Sequence, residues 1–153
     1  MSRFADFLRL FFVSPELLFS LGPIAIYAYD PSWADMLLKP MGDGVDWGLS
    51  AAALSVGMLV FSYKAGFDLL SLNGVRKVLI EWPGYPMLKV RILVAFGWCL
   101  VGVAACLLSV WMVAKNFQPL LGITFLVSGL FAAATASATI ALARFRLREL
   151  LGE

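Results

Sequence analysis

The chain has 153 residues, of which 61% are hydrophobic and 14% are charged, and its formal net charge at pH 7 is +2. A composition this apolar argues against an ordinary water-soluble enzyme, and so small a positive charge does not indicate nucleic-acid binding. Histidine is absent, which removes the commonest metal ligand, the usual axial ligand of membrane haem and the side chain best suited to proton shuttling. We therefore expect an all-α integral membrane protein that holds no cofactor and no metal.

Long stretches without a charged residue predict where the chain crosses the bilayer. Residues 47–63, 92–114 and 117–143 contain no Asp, Glu, Lys or Arg. A helix needs roughly 20 apolar residues to cross a hydrocarbon core about 30 Å thick. Together with a further apolar run after Ser14, these stretches predict a single transmembrane domain over residues 1–153. Its four spans are expected at about 14–29, 47–72, 87–113 and 119–143.

The N-terminal region predicts a short surface helix followed by the first span. Ser14, Pro15 and Glu16 form a helix start, with a capping hydroxyl, a proline at the first position and an acid near the positive end of the helix dipole. We interpret Glu16 as a helix-terminus residue rather than a buried carboxylate. Residues 2–12 alternate apolar and charged side chains at helical spacing, which predicts an amphipathic helix in the headgroup plane. The alternative is a signal peptide cleaved after Ala28, and we favour an uncleaved anchor.

The charges in the connecting segments predict the orientation in the membrane. Residues 30–46 contain four aspartates and one lysine, whereas residues 73–91 contain four basic residues and one glutamate. Residues 144–153 form a basic C-terminal tail. Because Lys and Arg concentrate on the cytoplasmic side, we expect 30–46 to be an outer loop, 73–91 to be a cytoplasmic loop, and both termini to be cytoplasmic. The expected location is the inner (plasma) membrane of a bacterium.

Lys64 and Asp68 are the charged residues within the second predicted span, and they lie four residues apart on one helix face. Ionisable residues inside a membrane are costly, and they usually face a cavity or a partner. One interpretation is that they line a water-filled path or a contact between subunits. The other is that both lie at the cytoplasmic interface, where the Lys64 ammonium can snorkel towards water.

The fourth span is rich in small side chains. Gly129, Ala133, Ser137 and Ala141 recur every four residues, and such a ridge lets two helix backbones approach closely. The ridge can serve packing within one subunit or between subunits. A further interpretation is a pore lined by the hydroxyls of Thr135, Ser137 and Thr139.

The segments outside the spans predict contacts with partners and lipids. Trp82 and Tyr85 lie in a Pro- and Gly-containing stretch of the cytoplasmic loop, which indicates either a docking site for a partner or an interfacial aromatic belt. The tail residues Arg144, Arg146 and Arg148 are expected to contact anionic lipid headgroups.

The sequence contains no phosphate-binding glycine loop, zinc signature or catalytic set that we can recognise. Cys99 and Cys106, seven residues apart, are expected to be small buried side chains too far apart along a helix to form a disulfide. We expect a non-enzymatic, four-span, homo-oligomeric protein that acts as a channel-like or membrane-sensing component. The alternative is an accessory or anchoring subunit of a larger complex. Its expected partners are the lipid bilayer and either itself or another membrane subunit, and nucleic acid is not among them.

Overall fold

The computed structural model describes residues 9–41, 45–71 and 85–151. These ranges are almost entirely helical and contain no strand, which confirms the all-helical fold expected from the sequence. We number the helices α1 (Pro15–Tyr29), α2 (Ser32–Met41), α3 (Val45–Ser71), α4 (Tyr85–Ala114) and α5 (Pro119–Leu151). Residues 9–12 are also helical, and the chain bends at residues 13 and 14 before α1 begins.

Helix α1 is capped at its start by the Ser14 side chain and at its end by the Asp30 backbone N–H, which donates to the Ile26 carbonyl. The Ser14 hydroxyl accepts a hydrogen bond from the Leu17 N–H at 3.4 Å and donates to the Phe11 carbonyl at 3.1 Å. Pro15 follows in the first turn, where its missing N–H breaks no hydrogen bond. At the other end Asp30 leaves the helical conformation, and its carboxylate accepts the Ser32 N–H at 2.9 Å at the start of α2. Hydrogen bonds from Ser32 hold the pKa of Asp30 below its ordinary value.

Three helices in the described part of the chain are long and apolar enough to cross a membrane, which confirms the expected membrane class. The candidate spans are Asp46–Leu69 of α3, Tyr85–Ala114 of α4 and Pro119–Arg146 of α5. Helix α1 does not qualify, because its 15 residues extend only about 22 Å, less than the roughly 30 Å of hydrocarbon. The capped break before Pro15 and the exit at Asp30 limit its length, so the fourth predicted span is not confirmed.

Helices α3, α4 and α5 pack side by side, and α1 lies against α5. Helix α4 runs antiparallel to α3 and to α5, and a turn of four residues, 115–118, joins α4 to α5. Asn116 and Gln118 adopt left-handed backbone conformations in this turn, with φ of 51° and 50°. The helix backbones come closest at Gly102 of α4 and Gly129 of α5, where a Cβ atom on Gly102 would lie 2.6 Å from the Gly129 carbonyl oxygen.

The outer surface of the three long helices is apolar. Large hydrophobic side chains are exposed on each of them, among them Leu54, Phe61, Phe67, Leu93, Leu100, Leu107, Phe131 and Leu142. A surface of this kind is typical of contact with lipid. The interior contains small apolar residues, together with several hydroxyls and both thiols.

Candidate functional site: a buried polar centre

Glu16 is the most unusual side chain of the interior. It lies in the first turn of α1, as the sequence predicts, yet it is fully buried against α5. Its Oε1 atom is 2.8 Å from the Thr139 hydroxyl of α5, and its Oε2 atom is buried with no hydrogen-bond partner among the residues that the structure describes. The prediction that Glu16 lies in the first turn of the helix is therefore confirmed, whereas the expectation that its carboxyl group is not buried was wrong. The bend before Pro15 turns the first turn of α1 inward, which the sequence pattern did not reveal.

Centring the α5 span on the bilayer places Thr139, and with it Glu16, about 4 Å inside the edge of the hydrocarbon. The candidate span Pro119–Arg146 has 28 residues, about 42 Å of helix, so about 6 Å at either end extends beyond a 30 Å core when the span is centred. Thr139 lies about 10 Å before Arg146 and thus falls inside the core. An ionisable group at this depth is costly, and such groups usually have a functional role.

A second group of polar side chains lies at nearly the same level along α5 as Thr139, but on another face of this helix. The Ser62 hydroxyl of α3 is 3.0 Å from the Ser137 hydroxyl of α5. The Cys99 thiol of α4 donates to the Ser62 hydroxyl at 3.4 Å, and Ser137 also lies 3.4 Å from the Met58 carbonyl. Ser137 is two residues from Thr139 on α5. We call Glu16, Thr139, Ser137, Ser62 and Cys99 the polar centre.

The same hydroxyl–thiol contact occurs a second time further along the bundle. Ser55 of α3 is 3.3 Å from the Cys106 thiol of α4, and its hydroxyl also lies 2.9 Å from the Ala51 carbonyl. Ser55 precedes Ser62 by seven residues, and Cys106 follows Cys99 by seven, as expected for matching positions on two antiparallel helices. Both cysteines are buried and free.

An ion pair connects α3 to α5 beyond the polar centre. An Asp68 carboxylate oxygen lies 3.6 Å from the Arg144 guanidinium, and both side chains are partly exposed. Asp68 thus pairs with a residue that the sequence assigns to lipid headgroups. Lys64, by contrast, is exposed on the outer face of α3 and forms no salt bridge with another residue that the structure describes.

The small-residue ridge of α5 faces its neighbours to different degrees. Gly129 and Ala133 are buried against α4, where a Cβ atom on Gly102 would lie 3.1 Å from that of Ala133. Ser137 and Ala141 are half-buried. The Thr135 hydroxyl donates to the Phe131 carbonyl of its own helix at 2.7 Å.

The predicted partner-docking and lipid-contacting residues fall partly outside the described residues. These are Trp82, the side chain of Arg148, residues 1–8 of the predicted surface helix and residues 73–84 of the predicted cytoplasmic loop. Tyr85 is half-buried and packs against the core at the start of α4, and Arg146 is exposed. Phe11, from the predicted surface helix, stacks on Trp98 of α4 with ring centroids 4.6 Å apart. The described end of this segment therefore packs against the bundle.

The described residues contain no group of three or more Cys, Asp or Glu side chains placed to hold a metal ion. The fold and the polar centre define the class of the protein as an all-helical integral membrane protein with a buried carboxyl group. Comparisons with protein-family models, curated proteins and solved structures find no match. Functional inference therefore rests on the residues themselves.

Sequence analysis singled out Ser137 and Thr139 but not the partners that the fold brings to them. Ser62 and Cys99 lie in uniform apolar runs, where a single hydroxyl or thiol gives little indication of a site. One signal was available: the seven-residue spacing of Ser55 and Ser62 equals that of the two cysteines. Equal spacing on two antiparallel helices allows two matched contacts between them.

Proposed function

We propose that the protein is a non-catalytic membrane component with a channel-like or sensing role, and that this role depends on the polar centre. The observation that carries this proposal is the complete burial of Glu16, one of whose carboxyl oxygens has no hydrogen-bond partner among the described residues. Centring the α5 span on the bilayer places this group in the hydrocarbon. Burying such a group costs free energy, and ionisable groups inside a membrane usually have a function, so its presence here favours a role in responding to an ion.

The proposed arrangement in the membrane has four crossings, with both termini on the cytoplasmic side of an inner (plasma) membrane. Helix α1 runs alongside α5, and in this arrangement it makes the fourth crossing together with residues 9–14, whose helical part 9–12 is separated from α1 by the bend at residues 13 and 14. The Asp68–Arg144 pair lies at the end of α5 where the basic tail begins. This placement agrees with the positive-inside rule, and it puts Arg146 within reach of anionic headgroups.

The distribution of polar groups supports sensing more strongly than conduction through one copy. The polar centre and the Ser55–Cys106 contact are separate, because the thiols that belong to them lie about 10 Å apart along α4. Between their levels the backbones of Gly102 and Gly129 approach too closely to admit a single Cβ atom. A conduit would therefore run between copies, and the exposed cation of Lys64 at the lipid-facing surface is consistent with self-association.

Reconstitution in liposomes tests this proposal. We would measure proton and potassium flux under an imposed gradient, and oligomeric state in lipid nanodiscs, for the wild type and for Glu16→Gln. Asp35→Asn is the control, since Asp35 lies in α2 and pairs with Lys39 at the surface. We expect a closed oligomer whose ion-dependent flux or assembly changes with Glu16→Gln and not with the control. A strictly monomeric protein that shows no ion response would contradict the proposal.

The accessory-subunit alternative depends on the segment containing Trp82 and Tyr85. The packing of Tyr85 against the core leaves less of this side chain available for a partner. If Trp82→Ala removed a co-purifying protein while Glu16→Gln changed neither flux nor assembly, the alternative would be preferred.

A further inference from the structure

We infer that a crevice between α1 and α4 binds the end of a lipid acyl chain. The crevice has a volume of about 190 Å³ and is lined by side chains of α1, α4 and α5. The inference goes beyond the proposed function, because the crevice is separate from the polar centre and the argument requires only that the protein lies in a membrane.

The packing of the helices explains why the crevice exists. Helix α1 packs along α5 but has little contact with α4, so a gap separates α1 from α4 and α5 forms its base. Three of the residues that line the gap carry at most one side-chain carbon, and these are Ala105, Gly129 and Ala132. Larger side chains at these positions would fill the space.

The crevice opens to the outer surface of the bundle. At its base Ser128 and Ala132 of α5 are 4% and 1% exposed, whereas at its rim Leu21 of α1 and Val101 of α4 are 46% and 43% exposed. The exposed rim residues belong to the same apolar surface that the long helices present to lipid. The crevice is therefore an inward extension of the lipid-facing surface.

The spans of α4 and α5 both place the crevice in the hydrocarbon. With the α5 span centred on the bilayer, the lining residues between Phe125 and Ala132 lie about 11 to 1 Å from the midplane. With the α4 span centred in the same way, Trp98 lies about 2 Å from the midplane and Ala105 about 8 Å from it on the opposite side. Most of the crevice thus lies between the midplane and the turn at 115–118. The opening faces the tails of the lipids in the leaflet that contains this turn, not their headgroups.

The lining favours a hydrocarbon occupant over water. The Ser20 hydroxyl donates to the Leu17 carbonyl of its own helix at 3.0 Å, and the Trp98 indole N–H donates to the Phe11 carbonyl at 3.3 Å. The other polar side chain of the lining is Ser128, whose Oγ atom is buried. A buried water makes about two to four hydrogen bonds, whereas an apolar cavity of about 150 Å³ stays dry and admits benzene. The crevice is larger than that, so about six carbon atoms of an acyl chain fit in it.

An acyl chain is also the occupant that the bilayer supplies at this depth. If the crevice were empty, its lining would lose van der Waals contacts. A flexible chain can fill an irregular space by rotation about its single bonds. Once inside, the chain contacts α1 on one side and α4 on the other, so it connects the helix that carries Glu16 to the hairpin of α4 and α5.

Trp98 reports on the occupant, because it lines the crevice and is only 5% exposed. Phe11 stacks on its ring at 4.6 Å and restricts access from that side. In a variant that keeps Trp98 alone, the other four tryptophans are replaced by Phe, namely Trp33, Trp47, Trp82 and Trp111. The full chain is reconstituted in phosphatidylcholine vesicles that carry bromine, a short-range quencher of tryptophan fluorescence, near the end of the acyl chain. We expect Trp98 to lose most of its fluorescence there, and less of it when the bromine is near the headgroup.

A matched pair of substitutions shows whether the quencher enters through the crevice. Ala105→Phe fills the crevice and should restore most of the Trp98 fluorescence in brominated vesicles. Ala104→Phe is the control, because Ala104 is exposed on α4 and does not line the crevice, and it should leave the quenching unchanged. Val101→Ala shortens an exposed rim side chain without adding bulk, so it should preserve or increase the quenching. It keeps the inference testable if Ala105→Phe does not fold.

Several outcomes would overturn the inference. Quenching of Trp98 by acrylamide in the aqueous phase, but not by brominated chains, would identify water as the occupant. Quenching by neither would show that a second copy or another part of the chain covers the crevice. Equal quenching in Ala105→Phe and Ala104→Phe, or weaker quenching in Val101→Ala, would also contradict it.

The two proposals can fail separately, because these measurements use no ion gradient and do not alter Glu16. Quenching through the crevice combined with a monomer that shows no ion response would leave the lipid site standing and remove the proposed function. Ion-dependent flux or assembly without quenching of Trp98 would have the opposite meaning.

Discussion

Replacing Gly102 with alanine should push α4 and α5 apart at their closest contact. The added Cβ atom would lie 2.6 Å from the Gly129 carbonyl oxygen and 3.1 Å from both the backbone nitrogen and the Cβ atom of Ala133. The first neighbour and the nitrogen are backbone atoms, so no side-chain rotation relieves the contact. Ordinary van der Waals contact begins near 3.4 Å, and reaching it requires a local separation of about 0.8 Å (3.4 less 2.6).

The cost of this separation is estimated from overpacked protein interiors, at about 1–3 kcal/mol of unfolding free energy. Alanine has a higher helix propensity than glycine, by up to about 1 kcal/mol in water. That gain is smaller here, because transmembrane helices form before they associate in the membrane. We therefore expect Gly102→Ala to be net destabilising.

The measurement is unfolding of the detergent-solubilised protein by increasing denaturing detergent, followed by intrinsic fluorescence. Gly57→Ala is the matched control, since a Cβ atom at Gly57 has no neighbour within 4 Å. Gly102→Ala should unfold at a lower detergent fraction than either the wild type or this control. Equal midpoints for the two alanine variants would refute the close approach of α4 and α5.

Two further outcomes are expected. Ser62→Ala removes a hydroxyl that contacts residues of two other helices, and it should destabilise the bundle by roughly 0.6–1.7 kcal/mol in the same assay. Ser50→Ala is the control, because the Ser50 hydroxyl is exposed and donates within its own helix, and it should have no measurable effect. Because Ser32 lowers the pKa of Asp30, the stabilisation at the start of α2 is present above the ordinary pKa of an aspartate and is lost as the pH falls through the lowered value. The protection of α2 amides against hydrogen exchange, corrected for intrinsic rates, should fall at low pH in the wild type but not in Asp30→Asn. Protection that does not change with pH in the wild type would contradict this prediction.

Hydropathy was sufficient to predict the membrane class and the all-helical fold. Lipid requires internally satisfied backbone hydrogen bonds, so a long apolar stretch has few structural options. Hydropathy was not sufficient to predict the length of helix α1. Its apolar composition suggested a span of its own, yet the capped break at Ser14 and the exit at Asp30 leave it about 22 Å long.

The polar centre was less accessible to sequence reasoning, because it is made by tertiary contacts. Glu16 fits every rule for a helix start, and those rules do not reveal which way the first turn faces. Ser62 and Cys99 lie 37 residues apart and become partners only after α3 and α4 pack antiparallel. Charge patterning could also indicate that Lys64 and Asp68 share a helix face, but not that Asp68 pairs with Arg144.

The repeated serine–cysteine contacts between α3 and α4 have a consequence for assembly in the bilayer. Helices in lipid associate through close packing and interhelical hydrogen bonds, so polar contacts help to determine how two neighbouring helices are aligned. A shift of α3 by seven residues in one direction would bring Ser62 to Cys106, and a shift in the other direction would bring Ser55 to Cys99. Either shift would form only one serine–cysteine contact instead of two. Only the native register makes both contacts. The two serine–cysteine hydrogen bonds, equally spaced on both helices, therefore favour the native alignment of α3 and α4 over alignments that are shifted by seven residues.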